Sequence, residues 1–233
     1  MDSSPVEDPI ARLRATNALL TPKLHGAVLA LGPYAVEPLI ELLRSRDAAC
    51  DDAPGEGRPP IHAVDLLVDL KAQDAIAPLL DVLIGAGAGA LIRSRIVSRL
   101  PELGVAVLEP ALRFLNQHES PEIEDALCAI VSQLGLRDER IFARLCEYFD
   151  REPGYGATCF AAYGDPRALA LLSTAIERFE LEYDPAEGLL VLNALVGGYE
   201  QLSGPLPRWL MQRVEAMRAQ STARDVGLLS PSK

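Results

Sequence analysis

An apolar pattern that returns along the whole chain restricts its fold more than any other feature. The segment Ile61-His-Ala-Val-Asp-Leu-Leu-Val-Asp-Leu70 has the same apolar spacing as Leu91-Ile-Arg-Ser-Arg-Ile-Val-Ser-Arg-Leu100. Ile96-Val-Ser-Arg-Leu100 returns as Ile130-Val-Ser-Gln-Leu134. With the last residue of each copy as anchor, equivalent positions fall at Leu31, Leu70, Leu100, Leu134, Tyr163 and Val196. The spacings are 39, 30, 34, 29 and 33 residues, with a mean of 33. A period of this size is the mark of stacked supersecondary units.

A second segment follows each anchor. Three copies share a proline: Ala35-Val-Glu-Pro-Leu-Ile-Glu-Leu-Leu43, Ala75-Ile-Ala-Pro-Leu-Leu-Asp-Val-Leu83 and Val107-Leu-Glu-Pro-Ala-Leu-Arg-Phe-Leu115. Weaker copies are Ile141-Phe-Ala-Arg-Leu-Cys-Glu-Tyr-Phe149 and Ala168-Leu-Ala-Leu-Leu-Ser-Thr-Ala-Ile176. Apolar residues at i, i+3, i+4 and i+7 make one buried stripe on a helix. Each repeat is therefore expected to be two helices, neither able to bury its stripe alone. Stacking them predicts an all-α fold, an α-solenoid of about five to six helix pairs. Pairs such as Ser4-Pro5, Thr21-Pro22, Ser120-Pro121, Asp165-Pro166 and Asp184-Pro185 place a capping side chain before a proline at a helix start. Ser4 with Glu7, and Asp184 with Glu187, have capping-box spacing. The recurring Pro38, Pro78 and Pro110 belong in a first turn or at a kink, because an interior proline costs about 3 kcal/mol.

The resulting expectation is one domain over residues 1–220. Residues 46–60, polar and rich in Pro and Gly, form an inserted mobile loop. A capping helix covers about 206–219, with Leu206, Trp209, Leu210, Val214 and Met217 on one side, and residues 221–233 form a disordered tail.

The copies Leu31-Gly-Pro-Tyr-Ala-Val-Glu-Pro-Leu-Ile-Glu-Leu-Leu43 and Tyr163-Gly-Asp-Pro-Arg-Ala-Leu-Ala-Leu-Leu172 resemble HEAT repeats, most closely the short bacterial type of the phycobilisome lyases. In that type a turn of the form Leu-Gly-Asp-x-Arg-Ala precedes a Pro-Leu-Leu helix. The resemblance spans about residues 24–200. The Asp-x-x-Val-Arg pattern usual at the start of the second helix is absent or degenerate in most copies. What the resemblance implies is a HEAT-like binding scaffold, since such repeats mostly present a surface to another protein. A HEAT-type enzyme or lyase subunit acting on a bound cofactor or modified protein is the alternative it carries.

Charge narrows the partner. The chain has 22 basic and 33 acidic residues and a net charge of −11. That excess is spread as −3 over residues 1–60, −5 over 61–136 and −3 over 137–233. Phosphate backbones are bound by Lys and Arg, so nucleic acid is not the expected partner. The densest acidic stretch, Glu177, Glu180, Glu182, Asp184 and Glu187, is expected to be a solvated helix end. The longest uncharged run, Leu24 to Val36, has 13 residues, short of the ~18 of a membrane span, so no membrane partner is expected. The acidic start lacks the basic-then-apolar order of a signal peptide, and a cytoplasmic protein is the expectation.

No cofactor or metal is expected. Gly85-x-Gly87-x-x-Ala90 fits a variant of the dinucleotide loop, which needs a strand before it, and the preceding residues are a copy of the repeated helix. His118-Glu119 is similar to the iron-binding pairs of HEAT-like deoxyhypusine hydroxylases, which carry several such pairs where this chain has one. No Cys-x-x-Cys, His-x-x-x-His or His-Glu-x-x-His spacing is present. Cys128, Cys146 and Cys159 fall at apolar positions of the helical pattern and are expected to be buried.

One polar feature repeats. At the exposed position before each anchor stand Ala30, Asp69, Arg99, Gln133, Ala162 and Leu195, and four residues earlier stand Gly26, Asp65, Arg95, Ala129, Thr158 and Val191. Asp65/Asp69 and Arg95/Arg99 thus lie one repeat apart in register. They are expected either to form a charge ladder that aligns the repeats or to serve, with Gln133, as a recognition patch in a groove. The expected function is a non-enzymatic module that binds a protein partner through that groove, as an adaptor, assembly factor or immunity-like inhibitor.

Overall fold

A computed structural model describes residues 8–17, 19–50, 52–87, 90–118, 120–180 and 185–228. Among them the regular structure is helical, with no strand. The chain divides into two compact units, residues 1–134 and 135–233.

The first unit contains α1 (Pro9–Arg14), α2 (Pro22–Leu29), α3 (Val36–Arg44), α4 (Pro59–Asp69), α5 (Ile76–Gly85), α6 (Leu91–Arg99), α7 (Leu108–Gln117) and α8 (Pro121–Ser132). The apolar periodicity dictates the packing. In α3 the stripe Leu39, Ile40, Leu42 and Leu43 is buried, and in α5 its counterpart is Ile76, Leu79, Leu80 and Leu83. Burying one such side chain contributes roughly 1.5–3 kcal/mol, more than helix propensity supplies. Helix α4 packs on α3, α2 and α6, while α5 packs on α3, α6 and α7. A 3-10 segment leads into each helix that carries Pro38, Pro78 or Pro110: Gly32–Ala35, Gln73–Ala75 and Leu100–Val107, the last broken at Gly104. Pro38, Pro78 and Pro110 are each the third residue of their helix. There the missing N–H costs nothing, because the first four N–H groups of a helix have no carbonyl partner within it.

The second unit contains α9 (Glu139–Arg151), α10 (Pro153–Tyr163), α11 (Ala168–Arg178), α12 (Pro185–Ser203) and α13 (Arg208–Leu228). Helix α10 packs against α9 and α12, and α12 also against α11 and α13. Glycines allow the closest approaches. A Cβ on Gly156 would lie 2.6 Å from the Cα of Phe149, and one on Gly198 would lie 2.8 Å from the carbonyl oxygen of Ala157. The anchor Val196 falls inside the 19-residue α12, not at a helix end as Leu70 and Leu100 do.

Several local expectations change. In α13 the buried stripe is Leu210, Val214, Met217 and Ser221, while Trp209 is 51% exposed. Spacing decides this, because i, i+4 and i+7 from Leu210 give one line that Trp209 misses by about 100°. The helix continues to Leu228, past residue 221 where the sequence placed a tail. Residues 229–233 lie outside the described residues, as do Ser4, Glu7, Glu182 and Asp184. Thr21 caps α2 through Leu24 N–H at 3.3 Å. Ser120 does not cap α8; its hydroxyl donates to Glu122. Asp165 accepts from Arg167 N–H, and α11 begins only at Ala168. Within the 46–60 segment Asp47–Ala49 forms a 3-10 turn and Pro59 and Pro60 already belong to α4, and the stretch between is tied down at two points. Gly55 is buried against Pro59 and the Arg14 carbonyl, and Asn17 Nδ2 donates to Glu56 Oε1 at 2.9 Å. No single helix among the described residues is long and apolar enough to cross a membrane; α2 with Gly32–Arg44 reaches that length only as a pair bent by 108°.

Candidate interaction site

Helices α4 and α6 pack side by side in the first unit, and each carries two charges one helical turn apart. Residues four apart lie on the same face of a helix. Asp65 and Asp69 therefore meet Arg95 and Arg99 across the α4–α6 contact. Arg95 binds Asp65 in bidentate fashion, Nε to Oδ1 and Nη2 to Oδ2, both at 2.7 Å. Arg99 sits at the centre. Its Nη2 donates to Asp69 Oδ1 at 2.5 Å, its Nε lies 3.2 Å from Asp65 Oδ1, and its Nη1 donates to Glu102 Oε1. His25, from α2, completes the cluster with Nε2 2.7 Å from Asp69 Oδ2. With a carboxylate as acceptor, Nε2 is the protonated nitrogen.

The cluster sets the electrostatics of Arg99. Burial works against its charge, but Glu102, Asp69 and Asp65 together outweigh that effect and hold its pKa above the ordinary arginine value. Arg99 is 22% exposed and Arg95 45%, so the ladder has an inner and an outer rung.

The ladder forms one wall of a groove of about 820 Å³. Its other surfaces come from Leu19, Leu20, Arg58, Ile61, His62 and Leu91, with Ser94 and Ser98 beside the arginines of α6. Leu19 is 86% exposed and Leu91 66%. Arg58 stands exposed at the start of α4 with no ion pair among the described residues.

Of the residues singled out in the sequence, the structure gathers Asp65, Asp69, Arg95 and Arg99, and leaves Gln133 apart. Gln133 Nε2 donates to the Ala129 carbonyl of its own helix at 2.7 Å, and it does not line the groove. His25 and Glu102 were missed. The first-repeat alignment placed Gly26 and Ala30 at the ladder positions, one residue from His25, and Glu102 lies beyond the helix in the following 3-10 turn. The apolar rim was also missed, because Leu19 lies before α2 and outside any repeat.

The remaining chemical candidates have helical surroundings. Val82 to Ile84 lie within α5, so helix and not strand precedes Gly85. Arg93 closes this corner by donating to the Leu83 and Ala86 carbonyls, both at 3.3 Å, and to the Glu122 carbonyl. His118 follows α7 with its ring 5.7 Å from that of Phe114, and Glu119 lies outside the described residues. Cys128 and Cys159 are buried, whereas Cys146 is only partly so. Among the described residues no group of three or more His, Cys, Asp or Glu side chains is placed to hold a metal ion. Compared with protein-family models, curated proteins and solved structures, the chain gives no match.

Proposed function

We propose that this chain is a non-enzymatic interaction module, a HEAT-like α-solenoid that grips a protein partner through the groove beside α2, α4 and α6. The order of contacts supports the solenoid. Within the first unit α2, α4, α6 and α8 follow one another, and so do α3, α5 and α7. The observation that carries the binding role is the pairing of exposed Leu19 and Leu91 with a polar wall whose charges are already matched. Exposed apolar side chains rimming a groove mark an interaction surface. The ladder behind them holds α4 and α6 in register, so the surface is preorganised and less entropy is lost on binding.

The same geometry argues against Asp65 or Asp69 as a general base. Both oxygens of each carboxylate already face a donor from Arg95, Arg99 or His25. A base must reach a substrate proton.

Site-specific photo-cross-linking in the native cell tests this reading. A benzophenone side chain replacing Ser94, on the groove, is expected to capture a discrete protein partner. The same group replacing exposed Glu37 on α3 is expected to capture none. Equal labelling from both positions would contradict a binding role for the groove.

A further inference from the structure

Among the charged side chains of the groove, those left with donors to spare and no further carboxylate are guanidinium groups. The four oxygens of Asp65 and Asp69 are all engaged. Among the donors, Arg58 has no ion-pair partner among the described residues, and Arg95 spends Nε and Nη2 on Asp65, leaving Nη1. A guanidinium carries five N–H donors and no acceptor. What lies open to a visitor is therefore guanidinium donors and the hydroxyls of Ser94 and Ser98, flanked by Leu19, Leu20, Ile61 and Leu91.

We propose that the groove recognises a partner peptide segment that carries a carboxylate side chain next to aliphatic residues. This rests on the groove being the binding surface and names what it binds. A basic segment would meet carboxylates already paired with Arg95, Arg99 and His25, and would be repelled by the guanidinium groups of Arg58 and Arg95. A purely apolar segment would bury Arg58 and Arg95 Nη1 without acceptors, which costs about 1–3 kcal/mol per unsatisfied group. An acidic and aliphatic segment satisfies both: its carboxylate accepts from Arg58 or Arg95, and its side chains cover the leucines. The site is local. The chain as a whole carries −11, so long-range repulsion slows encounter with an acidic partner, and short-range pairing must supply the specificity.

The test is selection of random 12-residue peptides displayed on phage against the full chain, with the enriched pool sequenced and then rebound to variants. The expected pool is enriched in Asp or Glu beside Leu, Ile, Val or Met. Its binding is expected to fall about tenfold on Arg58→Glu, whose thermal midpoint stays unchanged, and to persist on Arg58→Lys. Ser94→Trp, which fills the groove without changing charge, is expected to abolish it. A pool without acidic enrichment that is nevertheless lost on Ser94→Trp overturns the acidic assignment and leaves the groove standing. Failure to enrich any pool, or a pool that binds wild type and Ser94→Trp alike, overturns both.

Discussion

Arg99 shows how position decides the worth of a charge. It is shared by Asp65, Asp69 and Glu102, whereas among the described residues Arg95 pairs with Asp65 alone, and it is nearly half exposed. Exposed pairs contribute ~0–1 kcal/mol, while removing a shared, partly buried donor strands the acceptors it served. Arg99→Ala is expected to lower unfolding stability by roughly 1–2 kcal/mol, and Arg95→Ala by less than about 1 kcal/mol, as read from urea unfolding. Equal effects would contradict the inner and outer rungs. The register alone suggests that exchanging Asp65 and Arg95 should be neutral, because the pair survives with its order reversed. The structure removes that neutrality. Arg99 Nε lies 3.2 Å from Asp65 Oδ1, so Asp65→Arg with Arg95→Asp brings two guanidinium groups together. The double variant is expected to be less stable than Arg95→Ala, and equal stability would sink the three-way arrangement. The pairs were legible because four-residue spacing and one-repeat offset are properties of the sequence. The sharing was not, because it depends on side-chain reach across the helix contact.

The second helix of each repeat was legible to within about two residues, but the extent of α12 and α13 was not. The five proline-type or equivalent segments correspond to α3, α5, α7, α9 and α11, since i, i+3, i+4, i+7 spacing is both the signal and the reason for burial. How closely helices approach was not legible, because a glycine in a sequence does not say what faces it. Gly156 faces the Phe149 backbone, which has no flexible side-chain end to yield. Gly156→Ala is expected to cost about 1–3 kcal/mol of stability by calorimetry or urea unfolding; an unchanged protein would contradict the α9–α10 contact. The start of α11 carries a pH-dependent contact. Asp165 is nearly buried, and hydrogen bonds from the Arg167 side chain, opposed by burial and aided by the Arg167 N–H, hold its carboxyl below the usual range. Arg167 also stacks over Phe142 at 4.0 Å and reaches Glu139. A carboxylate with a depressed folded pKa stabilises fully above its unfolded value of about 3.9, and that contribution is lost as pH falls through the folded value. Stability is therefore expected to decline below about pH 4. Asp165→Asn is expected to flatten that decline, measured by urea unfolding at successive pH values; an unaltered slope would remove Asp165 from the account.

At the scale of the molecule, the repeat period and the acidic charge each exclude more than they specify. The period leaves room for helices and none for a βαβ unit, so the dinucleotide-like glycines end a helix. The charge sum describes the chain but not the groove, where donors remain open on a protein of net charge −11. The central claim is that the groove rimmed by Leu19 and Leu91 binds a protein. Leu91 is the first residue of α6 and 66% exposed, so Leu91→Asp puts an acid where the helix dipole welcomes one and removes no core contact. The most direct measurement is quantitative mass spectrometry of proteins that co-purify from the native cell with wild type and with Leu91→Asp, at matched thermal midpoints. A defined partner is expected on the wild type and is expected to be lost on the variant. The same partners in the same amounts on both would contradict that claim.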